Sequence, residues 1–425
     1  MNRIDLLVWI AYFISLYIAI FWFLNALEIK KERKNVKIKE WPEVSIIIPA
    51  YNEEDSIANC IESVLNLDYD KKKVKIIVVN DGSTDKTREV VEQIIKKRKD
   101  RNIILINQKN SGKASALNNA LKIVKTEFFA CLDADSFVTK SALKRIIKTF
   151  YEYDNNLAIV TPAMKIKSPK NLIQKLQYIE YNISMLLHRL MSNLNSIYVA
   201  PGPFSVYKTK IVKKLGGFDG STLAEDQEIA YRMQKNFYDI KQSPKAFVYT
   251  KPPDNFKALY KQRRRWYIGG FSNIIKYRKM FLNPKYGHFG IVQMPFNLLN
   301  FIMAFLGVFL IIYYIIIPIL RFLRNLYIIK FDVYPFIKTF LKFLSNLKFS
   351  ITLIDLNALR IVILFVLLVI SLIILFFAFK NANESLKNKS TILVLIPYFF
   401  VYYAILSFVC VISILEFFII RKNKW

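Results

Sequence analysis

Histidine and cysteine are scarce in this chain of 425 residues, with two of the first and three of the second. Cys60, Cys131 and Cys410 form no CxxC pair, and His188 and His288 lie far apart in sequence. That scarcity argues against a thiolate–imidazole zinc centre and a Cys/His nucleophile, so a metal site here must be built from oxygen ligands. GxGxxG and GxxxxGK(S/T) are both missing, which leaves dinucleotide oxidoreduction and P-loop chemistry without their phosphate cradles. Acid is also short: 32 Asp and Glu stand against 62 Lys and Arg, a net charge of +30. Nucleic-acid binding would want a basic helix with interleaved aromatics, and the central part of the chain has none, so no nucleic-acid partner is expected. The basicity suits a face held against anionic lipid and helps gather anionic nucleotides.

Apolar residues make up 54% of the chain and concentrate at its two ends. Residues 6–27 carry no charge and are long enough to cross a bilayer core of about 30 Å. A signal peptide is the competing reading, but the run is too long and no small-residue cleavage site follows. The basic segment EIKKERKNVKIKEW then places the following chain on the cytoplasmic side and the N-terminus outside. Near the other end, residues 289–320 are almost uncharged and contain Pro295 and Pro318. They read as an interfacial lead-in helix running into a span near 297–320. Residues 361–379 and 391–418 read as two more spans, and 332–348, with Lys among aromatics, as a segment lying flat on the membrane surface. One N-terminal and three C-terminal crossings put the RKNKW tail outside, against the positive-inside rule. Either general Lys richness blurs that rule or the count misses a crossing. No regulatory domain of the PilZ type is expected after the last span.

The middle of the chain alternates between strand and helix. Strands are expected at 43–50, 74–79, 103–107 and 127–132, with helices at 55–67, 84–98 and 113–125. That rhythm predicts an α/β domain with a mostly parallel sheet covered on both faces. Leu172, Leu176, Ile179, Ile183, Leu186 and Leu190 predict an amphipathic helix over 172–190. The expected division is 1–40 as anchor and basic linker, 41–285 as cytoplasmic domain, and 286–425 as interfacial and membrane helices.

Polar signatures fall at the strand ends, where open α/β sheets bind ligands. Pro49-Ala50-Tyr51-Asn52-Glu53-Glu54 reads equally well as a turn with an acidic helix start, and Asp81-Gly82-Ser83-Thr84-Asp85 as a tight turn plus N-cap. Asp133-Ala134-Asp135 ends a buried strand, and two carboxylates flanking one small residue can reach a single hard cation, Mg²⁺ or Mn²⁺, bridging diphosphate oxygens. Ala224-Glu225-Asp226 stands at a helix start, where the helix dipole alone would favour acid; a general base for an attacking hydroxyl is the sharper reading. Gln262-Arg263-Arg264-Arg265-Trp266 has the composition of a membrane-edge anchor. It also has what a departing diphosphate and a stacked sugar ring need.

Together with Ser111-Gly112-Lys113-Ala114-Ser115-Ala116-Leu117-Asn118, these motifs occur in the order that characterises family 2 glycosyltransferases. Over about Val44–Trp266 the chain resembles that family's membrane-bound synthases of cellulose, chitin, hyaluronan and poly-N-acetylglucosamine. The resemblance implies a GT-A fold, an inverting mechanism and a divalent cation. It assigns the UDP-sugar donor to Pro49, Tyr51, Glu53, Asp81, Lys113, Asp133, Gln262 and Arg265, and the metal to Asp135. Asp226 is the implied base, with Glu225 beside it, and Gly202, Pro203 and Trp266 are the implied acceptor contacts. Ala224 stands where many relatives carry Thr, a departure expected to have little effect. The resemblance implies an integral protein of the cell membrane that extends a glycan. Transfer of one sugar to a ceramide or polyprenyl-phosphate lipid remains the alternative, and a non-catalytic glycan-binding role is disfavoured by the intact acidic set.

Overall fold

The computed structural model describes residues 3–29, 36–328, 334, 337, 338, 356–385 and 389–420. Most of the surface-lying segment expected at 332–348, and the RKNKW tail, fall outside these residues.

After an N-terminal helix α1 (Arg3–Leu27), the central region begins with a repeated strand–helix unit. Its first part runs β1 (Val44–Ala50), α2 (Ile57–Leu65), β2 (Val74–Asp81), α3 (Thr87–Lys97), β3 (Asn102–Gln108), α4 (Lys113–Ile123) and β4 (Phe128–Cys131). These match the sequence expectations to within a few residues at each end. Then follow β5 (Phe137–Val138), α5 (Ala142–Glu152), β6 (Leu157–Ile166), α6 (Leu172–Asn193), β7 (Val206–Lys208), α7 (Thr209–Lys214), α8 (Glu225–Lys235), β8 (Asp239–Thr250) and α9 (Phe256–Lys276).

The eight strands form one sheet in the order β3-β2-β1-β4-β7-β6-β8-β5. β1, β2, β3 and β4 are mutually parallel, whereas β7 runs antiparallel to both β4 and β6. Chain order reverses between β1 and β4: β2 and β3 lie on one side, β4 and everything later on the other. Such a switch leaves a crevice beyond the carboxyl ends of the two strands, since the connections leave in opposite directions.

Strand pleating explains the two cores. In β1, Ile46 and Ile48 point into one layer, with Ile57, Ile61 and Val64 of α2 and Ile146 and Ile147 of α5. Ile47, between them, points into the other layer with Leu117 of α4, Leu186 and Leu190 of α6 and Ile229 of α8. That second layer also takes in Trp22 of α1 and Phe296 and Ala378 of later helices, so the membrane helices attach to this face of the sheet.

Among the described residues, four helical stretches are long and apolar enough to cross a membrane: Ile4–Leu27, Phe289–Ile328, Ala358–Asn381 and Ile392–Ile419. The second has 40 residues, about 60 Å at the α-helical rise and twice what a bilayer core requires. Its beginning is bonded to the α/β region, where Asn297 donates to the Tyr231 hydroxyl of α8 at 2.7 Å and accepts from Gln293 at 2.8 Å. The expected lead-in helix does run into the span as one helical run, with π-helical turns at Phe289–Gln293 and Ile312–Ile316.

Candidate active site

β1 and β2 end in two loops that fasten to each other. Asn52, at φ 54°, accepts from the Thr84 amide at 2.8 Å through its side chain, and its own amide donates to Ser83 Oγ at 3.1 Å. The Glu53 amide donates to Thr87 Oγ1 at 2.8 Å and the Glu54 amide to Asp85 at 3.1 Å. Asn tolerates the left-handed conformation, which explains its place in the turn. The outcome leaves Tyr51 exposed at the rim and Glu53 half-buried beneath it, with Pro49 half-buried at the end of β1.

Asp81 closes the next loop. Its carboxylate accepts from Gln108 Nε2 at 2.8 Å and from the amides of Ser111 and Gly112, each at 2.9 Å. Gly112, at φ 87°, meets the left-handed requirement of that turn. Asp81 therefore fixes the start of α4, whose first residue is Lys113.

Lys113 is the hub of the site. Its ammonium lies 2.6 Å from Asp133 and 3.2 Å from Glu225. Burial would lower its pKa, but Asp133, Glu225 and Asp226 outweigh that and raise it, so the ammonium stays charged. Gly202 passes so close that a Cβ there would stand 2.5 Å from Lys113 Nζ and 2.7 Å from Asp133 Oδ2. The turn after it places Phe204 at φ 65°, fully buried beside Pro203. Backbone bonds from Phe204 to Cys131 and from Ala200 to Asp226 hold this segment between β4 and the start of α8.

Asp135 is raised to about 6, first by burial and then by Asp133, with Glu53 adding to it and Ser136 donating to it. Asp226, in the first turn of α8, is likewise raised to about 6 by burial and by Glu225, against the opposing pull of Lys113 and Arg265. Five carboxylates (Glu53, Asp133, Asp135, Glu225 and Asp226) thus share one region with two cations, Lys113 and Arg265. Among the described residues no three Asp, Glu, His or Cys side chains could by themselves hold a metal ion. Asp133 and Asp135 offer oxygen donors of the kind that suit a hard divalent cation.

The three arginines of α9 diverge, because successive helical residues point about 100° apart. Arg263 turns inward and forms a two-pronged pair with Glu180 of α6, both contacts at 2.6 Å. Arg264 pairs with Glu416 in the last membrane helix, where Tyr260 also donates to that carboxylate at 2.9 Å. Arg265 stays exposed, and its charge helps lower the pKa of Asp226 against the effect of burial. Gln262 keeps a buried Oε1 with no hydrogen-bond partner among the described residues. Trp266 is 38% exposed and carries the Arg263 guanidinium 4.4 Å from its ring centroid. Gly269, one turn on, allows α9 to press against Ala224: a Cβ would meet the Ala224 Cβ at 2.5 Å.

Sequence reasoning missed Glu180, Glu416 and Tyr402, whose hydroxyl donates to Glu180 at 2.7 Å. The first is one polar residue in an amphipathic helix and the other two lie in an apolar run. The one available signal was a carboxylate inside a predicted span, which needs a partner.

A DxD pair at a strand switch of a mostly parallel sheet, joined to apolar helices long enough to cross a membrane, is the arrangement of a GT-A-type fold. Residues 45–216 match the family described as glycosyl transferase family 2. The chain is 31% identical over 255 residues to a poly-beta-1,6-N-acetyl-D-glucosamine synthase of Staphylococcus epidermidis, 60% of each chain. It is 29% identical over 275 residues to the synthase of the same name from Staphylococcus aureus, covering 62% of this chain and 65% of the relative. The matches therefore span less than two thirds of these relatives' length. A mannosyltransferase from Pyrobaculum calidifontis, in complex with GDP-Man and Mn²⁺, has the same fold, with a TM-score of 0.60 at 20% identity over 71% of this chain and 83% of its own.

Proposed function

We propose that this chain is a membrane-embedded inverting glycosyltransferase that takes sugar from a UDP-sugar and adds it to a growing β-linked polysaccharide, with export as a coupled step. The observation that carries this reading is the meeting of Asp133, Asp135, Glu225, Asp226, Lys113 and Arg265 at the strand switch. Relatives named poly-beta-1,6-N-acetyl-D-glucosamine synthase support a polymer as the product. The basic stretch after the first span supports a cell-membrane location with the catalytic unit, residues 41–285, on the cytoplasmic side.

In this reading Tyr51 and Glu53 receive the nucleoside, and Pro49 and Asp81 hold the loops that shape its seat. Asp133 and Asp135 would hold Mg²⁺ or Mn²⁺, which when bound neutralises charge on the diphosphate. Gln262 and Arg265 reach the same leaving group as hydrogen-bond donors, the first through its side-chain NH2 and the second through its guanidinium. Gly202 and Pro203 floor the acceptor side, and Trp266 offers the sugar ring an apolar face. Asp226 takes the proton of the acceptor hydroxyl as that oxygen bonds to the anomeric carbon. The carbon–oxygen bond to the diphosphate breaks on the opposite face, and an α-linked donor gives a β product. A base with a pKa near 6 is largely ionised at neutral pH yet still basic enough to accept.

The test uses membranes containing the full chain, incubated with radiolabelled UDP-sugars and Mg²⁺ or Mn²⁺, with Asp226→Asn as control. Label in a large, water-soluble, glycosidase-sensitive product supports the polymer. Label confined to organic extract assigns a lipid acceptor instead.

A further inference from the structure

Arg263 is 4% exposed and spends its guanidinium on Glu180, two parallel contacts of 2.6 Å. A buried ion pair is a poor way to gain stability, because desolvation offsets much of the attraction and a well-packed apolar pair serves as well. What it does supply is orientation. The two-pronged contact fixes the plane of the guanidinium, and a planar cation fixed in this way fixes whatever stacks on it. The group stacked on it is Trp266, three residues along the same helix face, with 4.4 Å from cation to ring centroid. The indole is nonetheless 38% exposed and so keeps surface open to a ligand. Glu180 is itself held from a third element: Tyr402 of the Ile392–Ile419 span donates to it at 2.7 Å, and Arg263 also reaches the Tyr402 hydroxyl at 3.4 Å.

We propose that Glu180 and Tyr402 are positioning residues for Trp266, acting through Arg263, so that the last membrane span sets the angle at which the indole meets the acceptor sugar. The assignment of Trp266 to the acceptor rests on the proposed function, whereas the chain Tyr402–Glu180–Arg263–Trp266 does not. The pair is thus distinct from Arg265, the exposed arginine of the same helix.

The test separates these layers. Acrylamide quenching of tryptophan fluorescence is measured in the full-length protein with and without Trp266→Phe, so that the difference reports Trp266 alone. Glu180→Gln keeps the side-chain shape and removes the charge; it is expected to change the quenching of Trp266 about twofold. Transfer to acceptor is expected to fall on the order of tenfold to a hundredfold, as small displacements of a positioned group do, while the KM for donor stays within about twofold. Tyr402→Phe, a milder change, should move both readouts in the same direction and covers the case in which Glu180→Gln fails to fold. Unchanged Trp266 quenching in a folded variant overturns the positioning role, whatever reaction the protein performs. Changed quenching with unchanged transfer upholds the positioning and removes Trp266 from the acceptor site. A donor KM that rises as steeply as transfer falls overturns the acceptor-side assignment.

Discussion

Lys113 Nζ lies 2.6 Å from Asp133, so one ammonium ties the start of α4 to the end of β4. The same group lies 3.2 Å from Glu225 at the start of α8 and pulls the pKa of Asp226 downward. Replacing it unbalances a region where carboxylates already outnumber cations. In Lys113→Gln the lowering influence on Asp226 is gone, so the Asp226 pKa rises further. The acidic limb of the kcat/KM profile should then move to higher pH and activity at pH 7 should drop. A limb that stays in place would separate Lys113 from the base.

The wild-type profile has its own expected shape. A base must be ionised to accept a proton, and Asp226 is held near 6 by burial and Glu225. Transfer should therefore be steady above about pH 7 and fall about tenfold per unit below pH 6. Asp226→Asn should lose on the order of 10²–10⁴ in kcat, with that limb abolished and nucleotide affinity kept, as read by calorimetry with UDP. Full activity in that variant would remove Asp226 from the chemistry.

Gly202 is a sterically tight position of the site. An added methyl at 2.5 Å from Lys113 Nζ and 2.7 Å from Asp133 Oδ2 must push two flexible side-chain tips aside, not a strand. Gly202→Ala should fold, with a melting temperature close to that of the wild type, and yet lose most of its turnover. A variant that keeps full turnover would show that the Lys113–Asp133 contact can shift without consequence.

Metal removal tests Asp135 directly. Extensive chelation should abolish turnover, and Mg²⁺ or Mn²⁺ should restore it. Asp135→Asn should need on the order of tenfold or more ion for half-maximal rate, because one of two anionic ligands is lost. Equal titration curves for the two proteins would place the ion elsewhere.

The core elements of the fold were legible from local pattern. β1, β2 and β4 are buried on both faces and so read as largely apolar runs, broken only by Ser45 in β1 and by Lys75 and the terminal Asn80-Asp81 in β2, and the helices between them carry a single apolar stripe. The Asp133–Asp135 pair and the Glu225–Asp226 pair were visible because short spacing at a strand end or helix start limits where such side chains can point. The three arginines were visible as a block, but their separate destinations were not. A 100° step per residue sends them to α6, to the last membrane helix and to the site, and local sequence does not say what waits in each direction.

By itself the sequence determined the alternating α/β region, the four apolar stretches and the acidic and basic motifs in their order, because each depends on residues close together in the chain. The tertiary structure decided which of these groups meet. Lys113 reaches Asp133 only because α4 starts at the mouth of the strand switch, and Gly202 reaches both only because β7 inserts next to β4. Glu180 and Tyr402 come together across 222 residues of chain. Contacts at such separation arise from the packing of the membrane helices on one face of the sheet, which no local spacing encodes.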